Sequence, residues 1–431
     1  MSDMQDRDRP LLGAIQGYVD HSKARFHMPG HSGNLNGGIW DACPYDVTEL
    51  GYTDNILNPQ GVIAELEADL AKAYGVDRSL IFTTGSTTAI LASLGILSQL
   101  GGEVVVLGEM HKAFWNGAML HNLQVSVFDC LDDLIRYMQK TRYVSAICTT
   151  SPDYFGICKD LFKLRQIADD KGAILWVDGA HSAHFAFADC LPDSPSQYAH
   201  LCVHSLHKTL PCYGGASVLN VTETNLVDLA TYYRNFFHTS SPSYLVMQSI
   251  DWAIGEMNAK GNVYYREVVA KIKSLGSEIG KWKILPTDDP TRLVLHSQGD
   301  EASFTAEWLS QRGIEVEMTY LDKMVLIVTP YNYTSLDFFA KYLSVAPTKK
   351  AEGILLAPPQ PKRAYRAEGQ VAFVELSQCV GKVCACEIGV YPPGMPIVRA
   401  GEIIDEKVAE YITANATRLF GLVNGHVAVL Q

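Results

Sequence analysis

Residues 80–88 read Leu80-Ile81-Phe82-Thr83-Thr84-Gly85-Ser86-Thr87-Thr88: an apolar run, then small hydroxyl residues that open an amphipathic stretch over 86–99. The run predicts a buried strand and the stretch after it a helix. Moving outward, the same alternation recurs. Apolar runs stand at Glu103–Leu107, Val125–Phe128, Val144–Thr149 and Ala173–Val177, with amphipathic stretches at 113–121 and 159–171. Upstream, residues 61–74 set Val62, Leu66, Leu70 and Tyr74 at helical spacing and stop at Gly75. Short buried runs separated by helices are the pattern of a parallel sheet covered on both faces, so the fold class is α/β.

Further strands are expected at 201–204 and 215–219, and helix over 223–275 with a break at His238–Ser243. After Pro286 the pattern becomes strand Arg292–Leu295, helix 301–312, strand Val325–Val328, helix 335–345. Lys349, Lys350, Pro358, Pro359 and Pro361 make 349–368 read as a linker. The last segment, 369–431, holds strands, a Tyr391-Pro392-Pro393-Gly394 turn and a helix starting near Glu402. The organisation expected is an arm (1–60), a large domain (61–285), a small α/β domain (286–348), the linker, and a C-terminal domain (369–431).

Across 431 residues, 47% are hydrophobic and 19% charged, ample material for a large core, which excludes a disordered chain or a small disulfide scaffold. Acidic residues outnumber basic ones 47 to 35, a formal charge of −12 that argues against nucleic acid or an anionic membrane as partner. No run approaches a membrane span, and Met1–Pro10 lacks the apolar stretch of a signal peptide. The 10 cysteines are scattered without a C-x-x-C pair and read as reduced thiols, so a cytoplasmic location is expected.

No dinucleotide-binding G-x-G-x-x-G follows the first strand, and no P-loop motif occurs. His27 and His31 are separated by Pro29-Gly30 and share no helix face, and the pairs His181/His184 and His204/His207 lack a Cys or carboxylate at ligand spacing, so no metal is expected. The stronger signal is distributed. Thr83–Thr88 offers backbone N–H groups at a helix start, suited to a phosphate, although an ordinary Ser/Thr cap reads the same way. Asp178 ends the apolar run Leu175-Trp176-Val177, where α/β sheets place functional groups. Lys208 sits in Ser205-Leu206-His207-Lys208-Thr209, between Leu201–Val203 and Gly214-Gly215. A phosphate cup, a strand-end Asp and a downstream Lys are the parts of a pyridoxal-phosphate (PLP) enzyme: Lys for the Schiff base, Asp to keep the ring nitrogen protonated, the cup for the phosphate.

At these residues the chain resembles the fold-type-I PLP-dependent ornithine/lysine/arginine decarboxylases in their short bacterial form. The resemblance runs from about Phe26 to Gly401. It rests on Phe26-His27-Met28-Pro29-Gly30-His31, Asp46-Val47-Thr48-Glu49-Leu50, the Thr84–Thr88 cup, His111-Lys112 and Thr150-Ser151-Pro152-Asp153-Tyr154-Phe155-Gly156. It continues through Val177-Asp178-Gly179-Ala180-His181-Ser182-Ala183-His184, Ser205-Leu206-His207-Lys208, Thr239-Ser240-Ser241-Pro242-Ser243-Tyr244 and Tyr391-Pro392-Pro393-Gly394-Met395-Pro396.

The resemblance implies a transferase-like large domain with a mixed, mostly parallel sheet, plus smaller α/β C-terminal domains. It implies that Lys208 carries the cofactor, that Asp178 binds the pyridinium, and that Gly85, Ser86 and Thr87 with Ser205 and His207 hold the phosphate. His111 would stack on the ring, unless it is an ordinary helix-start histidine, and His181 would lie beside the cofactor. Lys208 or His207 would return a proton to Cα. The product would be agmatine, cadaverine or putrescine, made by a homodimer or higher homo-oligomer in which the His27–His31 and Thr239–Tyr244 loops border the partner's cofactor.

Glu387, in Cys384-Ala385-Cys386-Glu387-Ile388, is the candidate for the substrate's distal cation, the other reading being a solvent-facing strand Glu. Three departures stand out: Arg399 where the family usually has an apolar residue or proline, an unusually small Gly214–Val218 run, and no N-terminal wing domain. Two other readings share the same parts: a different fold-type-I reaction, such as transamination or elimination, and a non-catalytic regulatory subunit.

Overall fold

The computed structural model describes residues 9–23, 25, 28–29, 31–141, 143–350, 369–390 and 395–431. Phe26, His27, Gly30, the Tyr391–Gly394 turn and residues 351–368 of the expected linker lie outside the described residues.

The first elements are α1 (Pro10–His21), α2 (Val62–Tyr74), β1 (Arg78–Phe82), α3 (Ser86–Leu100), β2 (Glu103–Leu107) and α4 (Lys112–Leu120). Then come β3 (Gln124–Phe128), α5 (Leu131–Lys140), β4 (Val144–Thr150), α6 (Leu161–Lys171) and β5 (Ile174–Asp178). The chain continues with β6 (Leu201–His204), a one-turn α7 (Leu206–Thr209), β7 (Ser217–Val221), α8 (Thr224–Phe237) and α9 (Tyr244–Ser274). Strands read from short apolar runs thus appear within about two residues of their expected ends, because a buried run leaves little freedom in where a strand lies. Helix α5 is an addition to the expected elements, although Leu131, Leu134, Ile135 and Met138 stand at helical spacing, with Leu134 and Met138 buried.

Two compact units divide the chain: Met1–Ile96 with Ile174–Tyr264, and Leu97–Ala173 with Tyr265–Gln431. In the first, strands β1, β7, β6 and β5 lie in that order; β7 is antiparallel to β1 and to β6, and β6 is parallel to β5. The connection from β6 to β7, residues 205–216, holds the single turn of α7 and returns the chain antiparallel. In the second unit β2 lies between β4 and β3, parallel to both. The strand pairing is therefore mixed and mostly parallel, and the class is α/β.

The first unit packs α2 against β1 through Leu66, Leu70 and Tyr74, all buried. Fully buried Trp176 of β5 donates its Nε1–H to Ser93 Oγ at 2.8 Å, so the largest core side chain satisfies its one polar atom. Removing a large apolar side chain of this kind from water contributes about 1.5–3 kcal/mol.

In the second unit a five-stranded antiparallel sheet combines β8 (Glu278–Ile279), β9 (Trp282–Leu285), β10 (Arg292–His296), β11 (Met318–Tyr320) and β12 (Lys323–Ile327). Helices α10 (Ala302–Ser310) and α11 (Leu336–Val345) share a core with it through Leu309, Phe339 and Leu343. The C-terminal segment adds β13 (Val371–Glu375), β14 (Val383–Cys384), β15 (Ile388–Val390) and β16 (Met395–Val398). It ends with α12 (Glu406–Asn415), β17 (Leu419–Phe420), β18 (Leu422–Val423) and β19 (His426–Leu430). The helix expected near Glu402 begins at Glu406. Asp405 is its cap, accepting from the Val408 N–H at 2.9 Å, whereas Glu402 turns its carboxylate back to the Arg399 N–H. No described helix is long and apolar enough to cross a membrane.

Candidate active site

Asp178 is the last residue of β5 and is 2% exposed. Burial raises its carboxyl above the usual carboxylate range, while the charge of Lys208 and the Ala180 N–H, 3.1 Å from Oδ1, act to lower it. A carboxylate desolvated in this way is stabilised by a cation placed against it.

Lys208 follows β6 on α7, half-buried, and its Nζ lies 3.2 Å from His181 Nε2. His181, three residues beyond Asp178, is itself buried, so the turns after β5 and β6 bring the acid, the imidazole and the amine together. Ser205, at the start of α7, is fully buried, with Oγ 3.4 Å from His207 Nδ1. His207 is fixed twice by one carbonyl: its backbone N–H and its Nδ1 lie 3.3 and 3.0 Å from Ala216 O. A carbonyl only accepts, so Nδ1 carries the proton of that bond and Nε2 is left as the ring's acceptor.

The Gly214–Ala216 loop reaches the expected phosphate cup as well. Gly85 N–H donates to Gly215 O at 2.8 Å. Gly215 has φ +97°, and a Cβ there would stand 2.6 Å from Thr83 O. The small residues of this run, a departure at the level of sequence, are thus what lets one loop tie the cup to the His207–Lys208 turn. Ser86 and Thr87 open α3, where the first N–H groups of a helix have no intrahelical acceptor. Orphan donors, a desolvated acid and a half-buried amine suit a group with an anionic phosphate, a basic ring nitrogen and a carbonyl; PLP fits these residues.

Two expected site residues belong to the second unit. His111 caps α4, its Nδ1 accepting from the Ala113 N–H at 3.2 Å. Glu387 is 5% exposed, not solvent-facing, and its Oε2 has no hydrogen-bond partner among the described residues. Burial raises its carboxyl, with the backbone N–H groups of Glu387 and Ala400, and then Arg399, acting to lower it. Arg399, also buried, has its guanidinium carbon 3.9 Å from the Trp115 ring centroid.

His238 and the Glu67–Arg234 ion pair went unnoticed in the sequence. Glu67 and Arg234 are both fully buried and meet at 2.9 Å. The signal available was Glu67 itself, a charge on the Ile63–Leu66–Leu70–Tyr74 face of α2.

Comparison with known proteins agrees with this geometry. Residues 121–332 match the Orn/Lys/Arg decarboxylase major domain, and 351–419 match the Orn/Lys/Arg decarboxylase C-terminal domain. The chain is 26% identical over 468 residues to an arginine decarboxylase of Bacillus subtilis (strain 168), covering 96% of this chain and 94% of that one. It is 27% identical over 460 residues to an arginine decarboxylase of Halalkalibacterium halodurans, covering 94% and 93%. In fold it is similar to the constitutive lysine decarboxylase of E. coli, with a TM-score of 0.76 and 17% identity over 98% of this chain and 82% of that one. With the strand-end Asp178, the Lys208 turn and the cup on elements of such a fold, and both domain models matched in order, the chain belongs to the Orn/Lys/Arg decarboxylase family.

Proposed function

We propose that the chain takes pyridoxal 5'-phosphate as cofactor and removes the α-carboxylate of a basic L-amino acid (arginine, lysine or ornithine), releasing CO2 and an amine for polyamine formation. The observation that carries this reading is the approach of Lys208 Nζ to His181 Nε2 beside the buried Asp178 carboxylate. When bound, the cofactor supplies an electron sink for the pair left at Cα as CO2 departs.

The residues divide the remaining work. Asp178 holds a proton on the ring nitrogen. Gly85, Ser86, Thr87 and Ser205 hold the phosphate, with the His207 backbone locked onto Ala216. Lys208 holds the cofactor between turnovers, gives way to the substrate amine, and returns a proton from Nζ to Cα. His181 fixes the direction of Nζ, and His111 stacks on the ring. His207 is the other residue able to return the proton, once its Nε2 lone pair has taken one up. Glu387, with a buried oxygen that no donor among the described residues meets, receives the distal cation of the substrate. We assign the working form to a cytoplasmic homodimer. Ile39 and Tyr52, 83% and 71% exposed in the N-terminal segment, support an assembly that covers them.

Borohydride reduction of the cofactor-loaded protein followed by peptide mapping tests the assignment. The pyridoxyl group should appear on Lys208; its appearance on any other lysine would refute it.

A further inference from the structure

His238 closes α8, is 7% exposed, and opens the break before α9. Both ring nitrogens have partners that leave no choice of tautomer. Nδ1 lies 2.9 Å from Thr239 O, and a carbonyl only accepts, so Nδ1 bears the hydrogen. Nε2 lies 3.1 Å from the Thr83 backbone nitrogen, and an amide only donates, so Nε2 offers its lone pair. The ring also packs on Phe82, centroid to centroid 5.6 Å.

Thr83 ends the run that feeds the cup. Ile81 and Thr83 are two residues apart, so their N–H groups point to the same side of the strand path. Side chains meet both: Glu67 Oε1 accepts from Ile81 N–H at 3.1 Å, and His238 accepts from Thr83 N–H. Two residues on, Gly215 O takes the Gly85 N–H. The turn Thr83–Gly85 is thus pinned at both ends by groups that leave the first donors of α3 free.

We propose that His238 is a positioning residue for the phosphate cradle: its neutral imidazole holds the Thr83 N–H and thereby aims the first turn of α3. This rests on the PLP reading above. A protonated ring could not accept from Thr83, and the surroundings oppose protonation. Burial lowers the affinity of His238 for a proton and so does Arg234 one helical turn earlier, against the Thr239 carbonyl, which favours it. Arg234 is in turn paired to Glu67, which also holds Arg78 at 2.9 Å.

Pyridoxamine 5'-phosphate, which carries the phosphate but forms no bond to Lys208, is the probe. Its Kd would be measured on cofactor-stripped wild type, His238→Phe and His238→Gln from about pH 7.5 down to about pH 5.5. The Phe ring fills the space without an acceptor, and its Kd should rise about tenfold or more. The Gln amide keeps an acceptor and should restore binding to within about threefold of wild type. It does not titrate, so the wild type should weaken relative to the Gln variant as the pH falls. A folded Phe variant that binds as wild type does would overturn the proposal. Should the Phe variant not fold, a folded His238→Gln variant whose Kd rises about tenfold or more would overturn it as well, since a restored acceptor would then not restore binding. A folded wild type that binds no probe at any pH would instead bring down the PLP reading itself, and this proposal with it.

Discussion

Asp178→Asn should leave the protein able to bind PLP but lower kcat by on the order of 100- to 1000-fold, since a neutral amide at the end of β5 cannot hold a charged ring nitrogen. Steady-state kinetics beside a cofactor titration separate the two effects, and a near-normal kcat would make Asp178 structural. Glu387→Gln should raise KM for the basic substrate by about tenfold or more, the worth of a charge-assisted contact, without altering cofactor affinity. An unchanged KM would remove Glu387 from the substrate and leave it as the counter-charge of Arg399. Asp178 and Lys208 are legible in the sequence because each ends or follows a buried strand, where an ionisable group has few reasons to be. His238 is not legible: its partner is a backbone N–H 155 residues away, and no side-chain pattern records a backbone donor.

Among the elements, the Gly214–Ala216 loop bears the most weight, since it accepts from Gly85 on one side and from His207 on the other. Gly215→Ala should destabilise the fold by about 1–3 kcal/mol, from positive φ and from a Cβ 2.6 Å from Thr83 O, and should weaken PLP binding through the displaced cup. Urea midpoints and cofactor Kd on the same samples check both; wild-type values for the two would mean that the loop relaxes freely. Element type and position follow from the sequence where apolar runs are short and bounded. Strand direction does not, because the apolar run of β7 reads like those of the parallel strands, yet it lies antiparallel to β1 and β6. The late start of α12 has a similar cause: Glu402 reads as a helix residue, but its carboxylate serves the Arg399 N–H and leaves capping to Asp405.

Over the whole molecule, the α/β class follows from the alternation that begins at Leu80, and composition alone excludes a disordered chain. The grouping into units is less accessible, because each is assembled from two stretches far apart in sequence, and hydrophobic periodicity carries no record of such pairings. The chemistry is a property of this same scale, as it needs cup, acid, amine and substrate pocket together. Incubating the PLP-loaded protein separately with arginine, lysine and ornithine, and identifying products by mass spectrometry beside released CO2, tests it most directly. At least one of the three should yield its amine (agmatine, cadaverine or putrescine) with one CO2 per amine. A ketoacid in place of the amine, or no turnover of any of the three by a protein that carries PLP on Lys208, would contradict decarboxylation of a basic amino acid.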